Sequence, residues 1–232
     1  SESGETGSLT ISLNTEPSAL VIIPVDDNDS SEASVTPSTL IFTPTNWNSL
    51  QTVTVQGVDD LDIDDNISFA VNLGPIISSD SNYSNIPASS ASSNTQFSFL
   101  NLDNDTPGFA VSGISDNTTE AGGSATFTVA LTARPALGSN VVLEIASSDN
   151  GTTAYDGNDP GEGSPNPSTL TFSYSNWNNP QTVTITGKDD NQLDGDTSYQ
   201  IFFTDNDTLT TDDHFDTDAC STCPPDNITL FN

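Results

Sequence analysis

Carboxylates are the only chemically capable side chains that this chain holds in quantity. Asp and Glu number 33, against two Lys plus Arg, one His and two Cys. They recur in register: Asp26, Asp29 and Glu32 stand 130 positions before Asp156, Asp159 and Glu162, and Asp59, Asp60 and Asp64 stand 130 before Asp189, Asp190 and Asp194. Hard oxygen donors on irregular loops suit calcium, which takes six to eight such ligands at flexible geometry. Adjacent Asp residues on a loop can turn both carboxylates toward one ion. Magnesium keeps its waters and needs fewer protein ligands, and transition metals call for imidazole or thiolate. The competing readings are a solvated acidic face and a surface adapted to high salt. Recurrence in register favours specific sites, because like charges held that close repel unless cations are taken up.

Other chemistries find little support. No basic face can be built, so nucleic acid is excluded as a partner. Paired carboxylates can hydrolyse glycosides, but these repeat in short loops with no Arg or aromatic pocket around them. The single His214 lacks a nucleophile arrangement, and no Gly-rich phosphate loop follows a strand. We therefore expect no enzyme. Cys220 and Cys223 fit a local disulfide in an oxidising compartment; half a zinc site and a redox pair are the alternatives. No apolar run is long enough to span a bilayer, so this segment is not expected to insert into a membrane.

The elements that must position these acids are strands. Asp26–Leu73 and Asp156–Phe203 align without gaps and share 22 of 48 positions, including Asn46-Trp47-Asn48 and Asn176-Trp177-Asn178. Such a repeat implies two structural units. Leu40 and Phe42, then Val53 and Val55, alternate with Thr and Gln, the period of a half-buried strand. We expect these two strands to form a β-hairpin with the Trp packed over its turn. Gly7–Asn14 and Gly123–Thr132 read as equivalent strands at an offset of 116, which leaves 14 additional residues within Ala133–Tyr155. Apolar residues are only 32 % of the chain, a composition that disorder would also produce. The regular alternation argues against disorder. Six or seven short strands per copy suggest an all-β fold, two Greek-key sandwiches of immunoglobulin-like type, over residues 1–103 and 104–232.

With these elements in order, the chain resembles the Calx-β family. The resemblance is carried by Thr119-Glu120-Ala-Gly-Gly-Ser-Ala-Thr-Phe-Thr-Val, Thr-Leu-Thr-Phe, Gln-Thr-Val-Thr-Ile, the Asp-Asp loop and the closing Asp-Asn-Asp. The Asn-Trp-Asn version is similar to tandem Calx-β-like repeats of large bacterial surface proteins. It implies a seven-stranded sandwich that binds several Ca2+ ions at one tip. Carried onto this chain, the family's acidic position at the second strand falls on Glu120. In the first copy the 116 offset reaches Gly4, with Glu5 adjacent. The Asp-Asp loop falls on Asp59, Asp60, Asp64, Asp189, Asp190 and Asp194, and the terminal acidic run on Asp103 and Asp105. Asp64 and Asp194 stand where the family often has Glu.

The expected function is an extracellular or cell-surface calcium-binding structural module, part of a bacterial tandem-repeat adhesin, stalk or self-assembling fibre. A calcium-dependent carbohydrate-binding module is the alternative, and glycan titration with and without calcium separates the two. A start at Ser1 rather than Met reads as a processed or excerpted segment. At the 116 offset the first copy has no counterpart of Phe109–Ile114. Its first strand is expected from outside these residues, from a neighbouring repeat or an identical subunit by strand addition.

Overall fold

The computed structural model describes residues 1–84, 96–149, 161–189, 195–216, 220 and 223–232. Two compact units emerge: residues 1–60 with 64–104, and residues 61–63 with 105–232. Each is a β-sandwich.

In the first unit, β1 (Thr6–Ile11), β5 (Gln51–Gly57) and β3 (Ala33–Thr36) form one sheet in the order β1-β5-β3. The facing sheet runs β4 (Thr39–Phe42), β2 (Val21–Asp27), β6 (Ile67–Leu73), β8 (Gln96–Asn101), with β7 (Ile77–Ser78) also on β2. A helical turn, α1 (Ser81–Ser84), buries Tyr83. The second unit repeats the plan. One sheet has the order β12 (Gly163–Asn166), β14 (Gln181–Gly187), β10 (Ser124–Leu131), β9 (Phe109–Val111). The other has β13 (Thr169–Ser173), β11 (Asn140–Ser147), β15 (Ser198–Asp205), β16 (Ile228–Phe231). Every named strand pair is antiparallel.

Period-two burial is the reason these sequences form strands. Leu40 and Phe42 point inward from β4, and Val53 and Val55 from β5, while Thr39, Ile41, Thr52 and Thr54 face out. The expected hairpin is not what this alternation makes. β4 pairs with β2, and β5 pairs with β1 and β3, so the Asn-Trp-Asn segment carries the chain from one sheet to the other. Two inward-facing strands of opposite sheets alternate just as two strands of a hairpin do. The corner is held by its own side chains. Asn46 Oδ1 accepts from the Thr43 amide at 2.6 Å, and Asn176 Oδ1 from Ser173 at 2.6 Å. The Trp carbonyls accept from Leu13 and Leu131, each at 2.8 Å, and both indoles pack against the cores. Gln51 Nε2 then reaches back across the sandwich to the Ile41 carbonyl at 2.7 Å, as Gln181 does to Thr171 at 2.8 Å.

The pairing also corrects the alignment of the first strands. Leu9 sits opposite Val53 and Phe127 opposite Val183, so β1 and β10 correspond at an offset of 118, not 116. Val21 and Val141, opposite Phe42 and Phe172, correspond at 120. The second copy is thus longer by 12 residues rather than 14, the difference between 118 and 130, and ten of them fall between β11 and β12. Strands β3 and β12 escaped the pattern analysis, being four residues long and stopped by Pro37 and Pro167.

One paired substitution shows how tightly the copies are packed. Phe69 of β6 corresponds to Tyr199 of β15, and Ala33 of β3 to Gly163 of β12. The Tyr199 hydroxyl bonds Thr118 Oγ1 at 2.8 Å and is buried, which pushes its pKa up. A Cβ on Gly163 would lie 2.5 Å from that hydroxyl oxygen. The extra oxygen occupies the space of the missing methyl. Gly163→Ala should therefore destabilise the second unit by roughly 1–3 kcal/mol, and adding Tyr199→Phe should restore more than half of the loss. Urea unfolding of the three variants checks this; equal stability of Gly163→Ala and wild type would contradict it.

Candidate metal centre

Three loops bring the first unit's acids to one tip. The turn before β1 carries Glu2 and closes with Gly4 at φ 85°, its amide donating to the Ser1 carbonyl at 3.1 Å. The loop after β5 carries Asp59 and Asp60, and the chain returns to this unit at Asp64. It turns at Asp65, whose φ of 63° is left-handed, a conformation that Asp tolerates better than most residues. The corresponding position in the second copy is Gly195, at φ 74°. The segment after β8 carries Asp103 and Asn104.

These loops are tied together by their backbones. The Glu2 amide donates to the Leu102 carbonyl at 3.1 Å, and the Asn104 amide donates to Glu2 Oε2 at 3.2 Å. The Asp65 amide donates to Asp103 Oδ2 and the Asp103 amide to Asn66 Oδ1, each at 3.1 Å. Asn104 Nδ2 reaches Asp59 Oδ1 at 2.9 Å. Carboxylate oxygens of Glu2 and Asp103 lie within 4.8 Å of one another, in a group able to hold a metal ion. A cleft beside them is lined by Glu2, Gly4, Ser34, Gly57, Asp59 and Asn104.

Glu2 is the electrostatic centre of this tip. It is only 4 % exposed. Burial pushes its pKa from 4.5 up to about 7; the Asn104 amide opposes this, while the charges of Asp103, Asp60 and Asp64 add to it. A bound divalent cation would reverse that balance by favouring the charged form of Glu2. Glu2 and Asp103 thus offer carboxylate oxygens to a group able to hold a metal ion, and Asp60 and Asp64 add their charge to it.

Glu2 is the residue that the sequence reading passed over. At the corrected offset of 118 it is Glu2, not Glu5, that corresponds to Glu120. Gly122, at φ 83° with its amide 2.9 Å from the Thr119 carbonyl, repeats the turn of Gly4. The Ser-Glu-Ser-Gly run beside Thr-Glu-Ala-Gly was the available signal. Glu5 is exposed, and Asp105, half-buried, is counted with the second unit.

The earlier acids of the repeat are placed differently. Asp26 is exposed on β2, and Asp29 accepts from the Ser31 hydroxyl and amide in a local turn. Glu32 and Glu162 are buried, their Oε2 atoms accepting from Asn101 Nδ2 at 3.2 Å and Asn232 Nδ2 at 2.9 Å. In the second unit Glu120 is half-buried and Asp189 exposed. Asp156, Asp159, Asp190 and Asp194 lie outside the described residues. Cys220 and Cys223 form a disulfide whose sulfurs are part of the second core.

No family model and no curated protein sequence matches the chain. Among solved structures it is similar to CBD12 from CALX1.2, at 12 % identity and a TM-score of 0.35, covering 86 % of this chain and 73 % of that one. The calcium-binding domain CBD12 of CALX1.1 gives 15 % identity and 0.32, over 86 % and 72 %. The D0–D1 domain of intimin gives 12 % and 0.26, over 88 % and 84 %.

The raised pKa of Glu2 fixes a pH signature. Between about 4.5 and about 7 the folded chain keeps a proton on Glu2 that the unfolded chain has lost. This group's contribution is therefore most favourable at low pH and falls as pH rises through that window, by up to about 3 kcal/mol. Asp80 in the same unit works in the opposite direction, its carboxyl held low by bonds from Ser18 and Asn82, so the readout is a difference curve. In chelator, Glu2→Gln should gain stability over wild type as pH goes from 4.5 to 8. Parallel pH curves for the two proteins would contradict the assignment.

Proposed function

We propose that the chain is a calcium-binding structural module, non-catalytic, that works outside the cell as part of a tandem-repeat adhesin, stalk or fibre. The observation that carries this reading is the buried Glu2 set against Asp60, Asp64 and Asp103. Holding those groups together without a cation costs stability, and binding a cation recovers it. A divalent ion would then act as a staple between the turn before β1, the loop after β5 and the end of β8. Extracellular modules bind calcium weakly, at about 10⁻⁴–10⁻³ M, which matches the concentrations met there.

The remaining features are in keeping with this role. The disulfide Cys220–Cys223 suits an oxidising compartment. Among the described residues no helix is long and apolar enough to cross a membrane. His214 is engaged locally, its Nδ1 3.0 Å from Asp212 Oδ1, and Asp212 also accepts from the Ala136 amide at 2.6 Å. That Asp–His pair anchors a 3-10 turn at Asp213–Phe215 whose Phe215 is fully buried, a structural task.

A ligand that binds only the folded state stabilises by about 2.7 kcal/mol per site at a hundredfold excess over Kd. At the weak affinity above, ten millimolar calcium is a ten- to hundredfold excess, worth about 1.4–2.7 kcal/mol, and should raise the melting temperature by roughly 3–10 °C over chelator, with magnesium less effective. Glu2→Gln combined with Asp103→Asn should remove most of that rise. Identical melting curves in calcium and chelator would refute calcium binding.

A further inference from the structure

Strand β15 covers its side of β11 only from Leu143 to Ser147, although β11 begins at Asn140. Residues 206–211 take over from there. The Asn206 amide donates to the Val142 carbonyl at 3.0 Å, and the Thr211 amide to the Asn140 carbonyl at 2.8 Å. The return bonds end on side chains. The Val142 amide donates to Thr210 Oγ1 at 3.0 Å and the Asn140 amide to Thr211 Oγ1 at 2.9 Å. This strap is thus a strand partner built half from hydroxyls. In the first unit the corresponding side of β2 is covered by a strand, β7, paired through Val21–Ser78 and Ile22–Ile77.

One carboxyl group stands behind the strap. Tyr199, Ile201 and Phe203 point inward from β15, and Asp205 ends that row. It lies opposite the fully buried Leu143 and is itself 6 % exposed. Its Oδ1 accepts from the Thr210 hydroxyl at 2.8 Å, so the Val142 amide, Thr210 and Asp205 form one chain of hydrogen bonds. Its Oδ2 is buried with no hydrogen-bond partner among the described residues. A charged carboxylate is costly in that position. Burial pushes its pKa up, as do the charges of Asp207 on the strap and Asp216 after the 3-10 turn; bonds from Thr210 and Asn206 oppose them. Of the other ionisable groups nearby, Glu144 is exposed on β11 and held by Asn206 Nδ2 at 2.5 Å, while Asp212 and His214 bond each other. At the 130 offset shared by β6 and β15, the first unit has Pro75 at this place, which carries no charge.

We propose that Asp205 is a proton-operated catch for this strap: protonated, it holds residues 206–211 against β11, and ionised, it lets them go. The sign follows from the surroundings. A proton binds more tightly to the closed strap, where the carboxyl is buried, than to the open one, where water solvates it. Acid therefore favours closure. The advantage is full below the ordinary 3.8 and is lost as pH rises from there through the raised value. Opening uncovers the main-chain groups of Asn140 and Val142, an unpaired strand edge of the kind that folded proteins keep covered. The catch does not rest on cation binding and is tested in chelator.

The experiment is amide hydrogen exchange of the whole chain across pH, corrected for the intrinsic exchange rate, with the Asp205 carboxyl signal followed by NMR. That signal should titrate above the ordinary Asp range. Over the same interval the protection of Val142 and Asn140 should fall by up to about tenfold per pH unit. Val141, which pairs with Phe172 on β13, should stay level. Asp205→Asn keeps an acceptor for Thr210 but cannot ionise, so its Val142 protection should be independent of pH. Thr210→Val removes the hydroxyl that links catch to strap and should lower Val142 protection at acid pH by about tenfold or more. A level wild-type profile overturns the proposal, as does an Asp205→Asn profile that keeps the wild-type slope. So does an Asp205 signal that titrates in the ordinary range, or undiminished protection in Thr210→Val.

Discussion

A buried carboxylate held by an asparagine side chain appears twice, and the acidic tip hangs from it. Asn101 Nδ2 donates both to Glu32 Oε2 and to the Val58 carbonyl at 3.0 Å, while the Glu32 carbonyl accepts from the Val58 amide at 3.0 Å. Asn232, Glu162 and Lys188 repeat the set. The contact joins the approach to β3, the exit of β5 and the end of β8, so it ties one sheet to the other. Those are also the places from which Asp59, Asp60 and Asp103 project. A buried carboxylate that lost its amide partner would keep its desolvation cost without the compensating bond. Gly57 and Gly187 complete the arrangement. Any side chain there would run into the Asn101 or Asn232 oxygen and into the carbonyl of Ser1 or Thr119.

Around this joint the charge is sorted by position. Strands β1, β4, β5, β10, β13 and β14 contain no acidic residue and expose Thr, Ser and Gln instead. The acids gather where strands end. A sandwich can then close its core, from Phe42 and Val53 in one unit to Phe172 and Val183 in the other, without a carboxylate beside the apolar faces. The energetic strain of the composition is concentrated at tips such as that of Glu2, where small ions can reach it.

Most of the architecture was legible because period-two burial survives in the text of the chain. Leu40, Phe42, Val53 and Val55 read correctly as core-facing, whereas each Trp, expected over a hairpin turn, packs against the core at a corner between sheets. What the pattern could not supply was partnership. Alternation states which side of a strand is buried and not which strand lies beside it, and so a corner between sheets passed for a hairpin. The register of β1 failed for a related reason. Gly7-Ser8 and Gly123-Ser124 match by letter, yet the ladder equates Gly7 with Ala125, and that two-residue shift hid Glu2 behind Glu5. Glu32 and Glu162 share their repeat with the calcium-suited acids, but recurrence of an acid does not distinguish an ion ligand from a polar brace. Burial and the Asn partner give Glu32 and Glu162 a bracing contact that recurrence does not reveal.

The two copies hold a constant spacing from β3 to the inner strand β6, while differences in length fall outside that block: twelve residues earlier, before and after β2, and one later, where Asn101 and Asn232 correspond at 131. The reason is mechanical. Across the corner, a single inserted residue would turn Val53 and Val55 outward and break the Gln51 and Trp47 bonds together. The loops flanking β2 have no such double duty. In a lineage built by gene duplication, the constant block is the part that resists drift, and the leading segment is where insertions accumulate. Further copies of this unit in other genomes should therefore be sought by the fixed distances among Glu, Asn-Trp-Asn, Gln-Thr-Val-Thr and Gly-x-Asp-Asp, with the opening strand left free to slide.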